Sequence, residues 1–378
     1  KPREAKGTWV EPKLVAEVSF AEWTRDGKVR HAVFHGLRED KPAAAIGRER
    51  PAAMPRGPAS GNAPMPAESA AGTPAVPEAP VRITHPERVI DPGTGLTKRD
   101  LIDYYLHAAR RLLPHLAKRP VALVRAPSGV QGQHFFQKHS GGLRIEGLRE
   151  LPADLDPGHP PLIEIDSFVA LVSAAQMNVV EFHTWNACSS RIEKPDRMTF
   201  DLDPGEGVPW PAMIDAARLT RRVLDEIGLR SFLKTSGGKG LHIVVPLAPR
   251  EGWDEVKDFS RQVVERLAAL APDKLVVKSG PKNRVGRIFV DYLRNGRGAT
   301  TVAAFSARAR AGLGVSMPCA WDELDSLTGG AHWTIATAHQ RLESADDPWA
   351  DYKAVRQTLT APRKALARPA GAAPQRAA

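Results

Sequence analysis

Asp201 and Asp203 stand one residue apart in the run Met198-Thr-Phe-Asp-Leu-Asp-Pro-Gly. On an extended strand residues i and i+2 face one side, so both carboxylates point together while Phe200 and Leu202 point away. Two like charges held that close repel unless a cation lies between them, and clustered oxygen ligands suit Mg²⁺ or Mn²⁺. Asp203-Pro-Gly also satisfies a plain turn, since all three residue types favour one. A second run, Ser236-Gly-Gly-Lys-Gly-Leu-His242, offers glycines whose backbone N–H groups can turn toward an anion, a positive charge on Lys239, and donors on Ser236 and His242. It fits a phosphate but is not a Walker A loop, because Lys239 is followed by Gly rather than Ser or Thr. A glycine-rich hairpin with an exposed lysine is the simpler alternative. A third acid, Asp291, lies in Arg287-Ile-Phe-Val-Asp-Tyr-Leu-Arg-Asn, where an unpaired carboxylate is costly. It needs either a salt bridge to Arg294 or another arginine, or a share in a metal cluster. Three carboxylates beside a phosphate loop are the donor set of two-metal phosphoryl or nucleotidyl transfer. Arg294 and Arg308 are then candidates to hold a triphosphate through bidentate guanidinium contacts, with an ordinary surface arginine as the competing reading for each.

These residues need a scaffold that brings them together. A strand over 198–203, a helix opened by Pro211 with Met213, Ala217, Thr220, Leu224 and Ile227 on one face and closed by Gly228, and a strand over 231–235 form a β-α-β pattern. Ligand sites in such units gather at the carboxyl ends of strands. A strand over 242–247, an amphipathic helix carrying Val256, Phe259, Val263 and Leu267, and a strand over 287–293 follow. Upstream, Thr97 is the expected N-cap of a helix, 121–124 and 162–165 read as strands, and a short helix begins near Ser167. The mixed order of strands and helices predicts an α+β fold.

The 378 residues, 42% of them apolar, suffice for two or three domains. The first residue is Lys1, so the chain is expected to be a piece of a longer one. Fifty-three Lys and Arg give a net charge of +10, which suits a polyanionic partner. Cys188 and Cys319 offer neither ligand spacing nor a disulfide framework, so a reducing cytoplasm is expected. No apolar run reaches membrane-spanning length. Residues 8–34 alternate around Asp26-Gly27 as a hairpin too small for a domain of its own. Residues 41–80 contain nine Pro and twelve Ala with no aromatic residue, which predicts a disordered linker. The globular part is expected over 81–355. From Arg356 to residue 378 there are five Arg or Lys and no acid, which predicts a flexible basic tail.

Taken together, Asp-Leu-Asp-Pro, Ser-Gly-Gly-Lys-Gly-Leu-His and Phe-Val-Asp-Tyr-Leu-Arg-Asn, in this order, resemble motifs I, II and III of the primase-polymerase superfamily, and within it the polymerase domain of bacterial ligase D enzymes. The resemblance covers about residues 83–352. It implies a primase-polymerase fold with a mixed β-sheet core, an RRM-like catalytic palm and flanking helices. It makes Asp201, Asp203 and Asp291 ligands of two Mn²⁺ or Mg²⁺ ions, and Ser236, Lys239, His242 and Arg308 contacts of the incoming NTP or dNTP. His183 matches a family histidine beside the nucleotide and metals, though a buried structural histidine is the alternative. Phe135 and Phe136 resemble paired aromatics that stack on the template; otherwise adjacent phenylalanines belong to a core. Arg88 and Lys98 match positions holding the 5′-phosphate of a downstream strand, and Arg284 matches a loop contact to DNA. Residues 1–40 are similar to the end of a ligase domain in an OB-like barrel, through Trp9-Val-Glu-Pro-Lys-Leu-Val-Ala-Glu-Val and Gly36-Leu-Arg-Glu-Asp-Lys41. The nucleotidyl-accepting lysine motif is absent, so nick sealing is not expected from this piece. The implied activity is template-dependent nucleotidyl transfer in bacterial non-homologous end joining, on 5′-phosphorylated, gapped or overhanging DNA ends in the cytoplasm. The ligase domain of the same chain and Ku are the implied partners. A non-catalytic module that binds and aligns DNA ends is the alternative function.

Overall fold

The computed structural model describes residues 79–344 and 346–368, with the backbone of four strands nearer the amino terminus, Val15–Ser19 (β1), Glu22–Trp23 (β2), Val29–Arg30 (β3) and Val33–Arg38 (β4). The chain divides into two compact units, residues 1–72 and 73–378. In the first, β1 pairs antiparallel with β4 and β2 with β3, a nested pairing; the expected turn at Asp26-Gly27 lies outside the described residues. Closure into an OB-like barrel, and nearly all of the expected linker, lie outside the described residues.

The second unit begins with a short hairpin, Val89–Asp91 (β5) and Leu96–Thr97 (β6), that feeds helix Lys98–Leu116 (α1). Thr97 caps that helix: its side chain accepts from the Asp100 N–H and Asp100 returns a bond to the Thr97 N–H, a capping box that contributes about 1 kcal/mol. Strands Val121–Arg125 (β7), Phe135–Gln137 (β8), Arg149–Glu150 (β9) and Ile163–Glu164 (β10) follow, then helix Phe168–Gln176 (α2), capped by Ser167, and strand Val179–Thr184 (β11). Leu101, Tyr105 and Leu112 of α1 and Leu171 of α2 bury against Leu123 and Phe182 of this sheet. The Tyr105 hydroxyl, fully buried, donates to Val180 O (2.6 Å) and accepts from the Ala307 N–H (3.0 Å), which removes the cost of burying it.

The palm is the second sheet. Strand Arg197–Pro204 (β12) leads into helix Trp210–Glu226 (α3), then come Phe232–Thr235 (β13), Leu241–Pro246 (β14), helix Trp253–Leu270 (α4), Leu275–Val276 (β15) and Ile288–Asp291 (β16). Strand Thr301–Val302 (β17) returns to the first sheet beside β11, and Pro318–Cys319 (β18) closes the palm edge. The palm order is β15-β16-β12-β14-β13-β18, so its central four strands and two helices form a split β-α-β arrangement of RRM type. The sequence pattern reads β12, α3 and β13 as a plain β-α-β unit. The structure inserts β14 between the two strands, because the short Ser236–Gly240 turn folds β14 straight back along β13.

Alternation then decides what each face carries. Met198, Phe200 and Leu202 of β12, Leu241 and Ile243 of β14, and Ile288 and Val290 of β16 join Met213, Ala217 and Leu224 of α3 and Val256, Phe259 and Val263 of α4 in one buried cluster. The intervening residues, including Asp201, Asp203, His242 and Asp291, emerge on the face away from these helices. Residues 356–368 are not the flexible arm expected from their composition. Helix Thr360–Leu366 (α5) and the preceding Leu359 pack into the palm core through Leu359 and Leu366, and Gln357 O accepts from Ala248 N (2.7 Å). The basic residues alternate with enough apolar ones to make an amphipathic turn; residues 369–378 lie outside the described residues.

Asn295 extends the pairing of β12 where β16 ends. Its amide accepts from Thr199 N (2.8 Å) and donates to Thr199 O (2.9 Å), and Asn186 donates to it as well (3.2 Å), all fully buried. Asn295→Ala leaves both Thr199 backbone groups without partners and is expected to lower the unfolding free energy by about 2–3 kcal/mol, read from urea denaturation; a loss under about 0.5 kcal/mol contradicts this role.

Candidate active site

Across the palm, four residues line up in register on one face. Asp201 is opposite Asp291 on one side and His242 on the other, and His242 is opposite Lys234. Directly opposed residues place their Cβ atoms about 4.5–5.5 Å apart, so the two acids are neighbours although 90 positions separate them in sequence. Asp203, two residues along β12, shares their face. The cations that answer this charge are visible: Arg294 Nε lies 3.2 Å from Asp291 and 3.9 Å from Asp201, and Arg284 is turned onto Asp203. Burial works to raise the Asp201 pKa, yet His242, Arg294 and Arg308 hold it below the usual carboxylate range. Asp291 goes the other way. Burial raises it, and Arg294 only partly offsets that burial and the charges of Asp201 and Asp203.

His242 is fixed from behind. Lys234, buried, places its Nζ 2.9 Å from His242 Nδ1, 3.0 Å from Val302 O and 2.6 Å from Ser316 Oγ, three acceptors for three N–H bonds. A donor on Nδ1 leaves the ring proton on Nε2, which lies 3.3 Å from Asp201 Oδ1. Burial and the adjoining Lys234 push the His242 pKa down to about 4, so the ring is neutral near pH 7.

The Ser236–His242 segment wraps the end of this row. Ser236 Oγ accepts from the N–H groups of Gly238 and Gly240, both at 3.1 Å. A side chain at Gly240 would put its Cβ 2.0 Å from Leu202 O, and Gly237, at φ +68°, would meet Arg308 Cγ at 2.7 Å. Glycine is therefore required for the loop to lie against β12 and Arg308. Lys239 is exposed and carries no ion-pair partner among the described residues. Arg308 enters from the chain after β17, on the side of the other sheet of the same unit: its Nη1 donates to Ser236 O (2.8 Å) and its Nε to Glu181 Oε2 (2.9 Å). Glu181 also holds His183 Nε2 at 2.6 Å and the Ala309 N–H at 2.8 Å.

Of the expected residues, Asp201, Asp203, Asp291, Ser236, His242, Arg294 and Arg308 are joined by these contacts, and His183 through Glu181. Phe136 sits edge-on to His183, 5.8 Å between ring centres, so the paired aromatics border the same region. Phe135 and Phe136 are 38% and 51% exposed, which is not a core position. Arg88 and Lys98 form a separate pair at the start of α1. Arg88 donates to Pro127 O (2.6 Å) and to Asn178, Lys98 donates to Thr84 O (2.7 Å), and Lys98 is buried. Among the described residues no carboxylate hydrogen-bonds to either cation, and Arg88 Nε is buried without a partner. Arg284 faces Asp203 in this structure rather than standing free for DNA.

Sequence reading misses Glu181, Lys234 and Asn295. Glu181 carried a usable signal, an acid and a histidine at i and i+2 on an apolar strand, the same pattern that exposed the aspartates. Lys234 and Asn295 had none, because their partners come from distant strands. Glu181 shows how much the network depends on one buried charge: burial raises its pKa, but His183, Arg308 and the Ala309 N–H outweigh this and lower it from 4.5 to about 2. A carboxylate with a depressed folded pKa contributes stability above its unfolded value and loses it as pH falls through the folded one. Glu181→Gln is therefore expected to cost about 3 kcal/mol at pH 7 and to flatten the acid limb of stability between pH 4.5 and about 2, measured by denaturation across that range; an unchanged limb refutes it.

Comparison with known proteins identifies relatives of the chain as a whole. The model of the LigD primase-polymerase domain matches residues 97–349, and that of the ATP-dependent DNA ligase C-terminal region matches residues 1–41. The chain is 52% identical over 355 residues to the multifunctional non-homologous end joining protein LigD of Pseudomonas aeruginosa, covering 93% of this chain and 42% of that protein. To the corresponding LigD of Mycolicibacterium smegmatis it is 34% identical over 247 residues, covering 65% of this chain and 32% of that one. The chain thus spans less than half the length of these relatives. The solved polymerase domain of Mycobacterium tuberculosis ligase D in complex with DNA matches with a TM-score of 0.66 and 30% identity, over 74% of this chain and 100% of that one. With the carboxylate row, the glycine loop and Arg308 all inside the matched span, this chain belongs to the LigD primase-polymerase domain family.

Proposed function

We propose that this chain is a template-dependent nucleotidyl transferase that fills gaps and extends ends in bacterial non-homologous end joining. The observation that carries the reading is the register that sets Asp291 opposite Asp201, with Asp203 on the same face and the Ser236–His242 loop on the adjoining strand. The relatives named for end joining, and the related polymerase domain solved with DNA, supply the biological context.

The residues fit a divalent metal pair. The donors are all carboxylate oxygens, arginine side chains already stand beside them as cations, and Asp291 is left with its pKa raised by burial and neighbouring acids. When bound, two Mn²⁺ or Mg²⁺ ions on Asp201, Asp203 and Asp291 supply charge stabilisation for the attacking and leaving oxygens. The primer 3′-hydroxyl attacks the α-phosphate of an NTP or dNTP and diphosphate leaves. Ser236, Lys239, neutral His242 and the arginines Arg294 and Arg308 orient the triphosphate, and His183 is steadied beside them by Glu181. Phe135 and Phe136 stack on template bases, Arg88 and Lys98 take the 5′-phosphate across the gap, and Arg284 reaches DNA on release from Asp203. In the parent protein, a DNA ligase, the partners are the ligase domain and Ku.

Primer extension on a gapped duplex with a 5′-phosphate is the test. Asp201→Ala/Asp203→Ala is expected to reduce incorporation to background while the protein still binds the duplex; full incorporation by that variant defeats the metal assignment. A wild-type protein that binds ends but incorporates nothing would favour the end-binding alternative. Phe135→Ala/Phe136→Ala is expected to weaken binding of the gapped duplex roughly tenfold or more, at about 1–3 kcal/mol per stacked base, with less effect on blunt duplex; equal losses on both would point to general destabilisation.

A further inference from the structure

A second cluster of ligand-type side chains lies apart from the carboxylate row. His139 Nε2 is 2.9 Å and His159 Nδ1 is 3.3 Å from the same oxygen, Oδ2 of Asp156. The two imidazoles are stacked, with 5.0 Å between centroids and 11° between planes. All three ligand atoms fall within 4.8 Å of one another. A tetrahedral site with metal–ligand bonds of about 2.0–2.1 Å has ligand-to-ligand edges of about 3.3 Å. These separations therefore close around an ion with small side-chain rotations. The other oxygen of Asp156 accepts from Arg297 Nη1 at 3.2 Å, the kind of outer partner that orients a ligating carboxylate. Arg297 is itself held by Glu193 (2.9 Å) and Leu155 O (2.9 Å).

An ordinary His–Asp hydrogen bond uses one imidazole. Here two converge on one oxygen from segments 20 positions apart. We propose that His139, Asp156 and His159 form a transition-metal site of zinc preference, separate from the carboxylate row. Two imidazole nitrogens with one carboxylate suit Zn²⁺, whereas the all-oxygen set of Asp201, Asp203 and Asp291 suits Mg²⁺ or Mn²⁺, so the two sites select different ions. The side chains of His139 and Asp156 are 22% and 16% exposed and that of His159 is 59% exposed, which leaves a path for the ion and a fourth position for water. His139 follows β8, the strand of Phe135 and Phe136, and Arg297 follows Arg294. A bound ion fastens the 153–159 segment to the end of β8 and, through Asp156 and Arg297, to the loop beyond Asp291.

The test titrates the full chain carrying Asp201→Ala/Asp203→Ala, which removes the competing oxygen site, with ZnCl₂ by calorimetry, and counts retained metal by elemental analysis. One zinc per chain is expected, with a rise in melting temperature that Mg²⁺ at the same concentration does not produce. Adding His159→Ala, and separately His139→Ala, is expected to weaken zinc binding by at least about tenfold and to remove the rise. His159 is exposed enough that its loss leaves the fold intact, which circular dichroism checks. No zinc binding, or zinc binding that survives either substitution, overturns the assignment.

Discussion

Everything in the palm is arranged around a repulsion. Asp201, Asp203 and Asp291 share one face of one sheet, two of them directly opposed across a strand pair. At a separation of about 5 Å and an effective dielectric of about 20, each such pair of charges costs about 3 kcal/mol, a large fraction of the 5–15 kcal/mol by which a domain is typically stable. The fold tolerates this because the other face of the same strands is anchored: Phe200, Leu202, Ile243 and Val290 are fully buried under α3 and α4. Burial on one side fixes the register, and the register forces the acids together on the other. The stored repulsion is then a standing preference for cations, answered in this structure by Arg294 and Arg284.

Two buried charged side chains, Lys234 and Glu181, hold the histidines and Arg308 of the site in place. Lys234 saturates itself on His242, Val302 and Ser316, which fixes the imidazole without delivering another charge to the cleft face. Glu181 does the corresponding work on the first sheet, where one carboxylate orders Arg308, His183 and the Ala309 backbone. Arg308 then bridges to Ser236 O, so the glycine loop of the palm and the histidine of the other sheet are positioned by one guanidinium. A buried charge pair of this kind adds little net stability, but losing one partner is costly, which makes it a rigid joint.

Much of this was legible in the sequence because it is local. The i, i+2 spacing of Asp201 and Asp203, the Thr97 and Ser167 caps, the proline near the start and glycine just past the end of α3, and the apolar stripe of α4 follow from backbone periodicity within a few residues. The glycine loop was legible for the same reason, and Gly240 proves to be required by the approach of Leu202 O. The tail was misread because composition registers five basic residues but not that Leu359 and Leu366 complete a helix face.

The sequence by itself determined which residues could do chemistry, which strands and helices would carry them, and, through three ordered motifs, the family. Only the tertiary structure decided who faces whom: that β14 lies between β12 and β13, that Asp291 pairs across from Asp201, that Lys234 stands behind His242, and that Glu181 ties Arg308 to His183. The physical reason is the range of the interactions. Periodicity and capping act over a few residues of chain, whereas strand register and buried charge pairing join residues tens to more than a hundred positions apart and are settled only when the apolar faces pack.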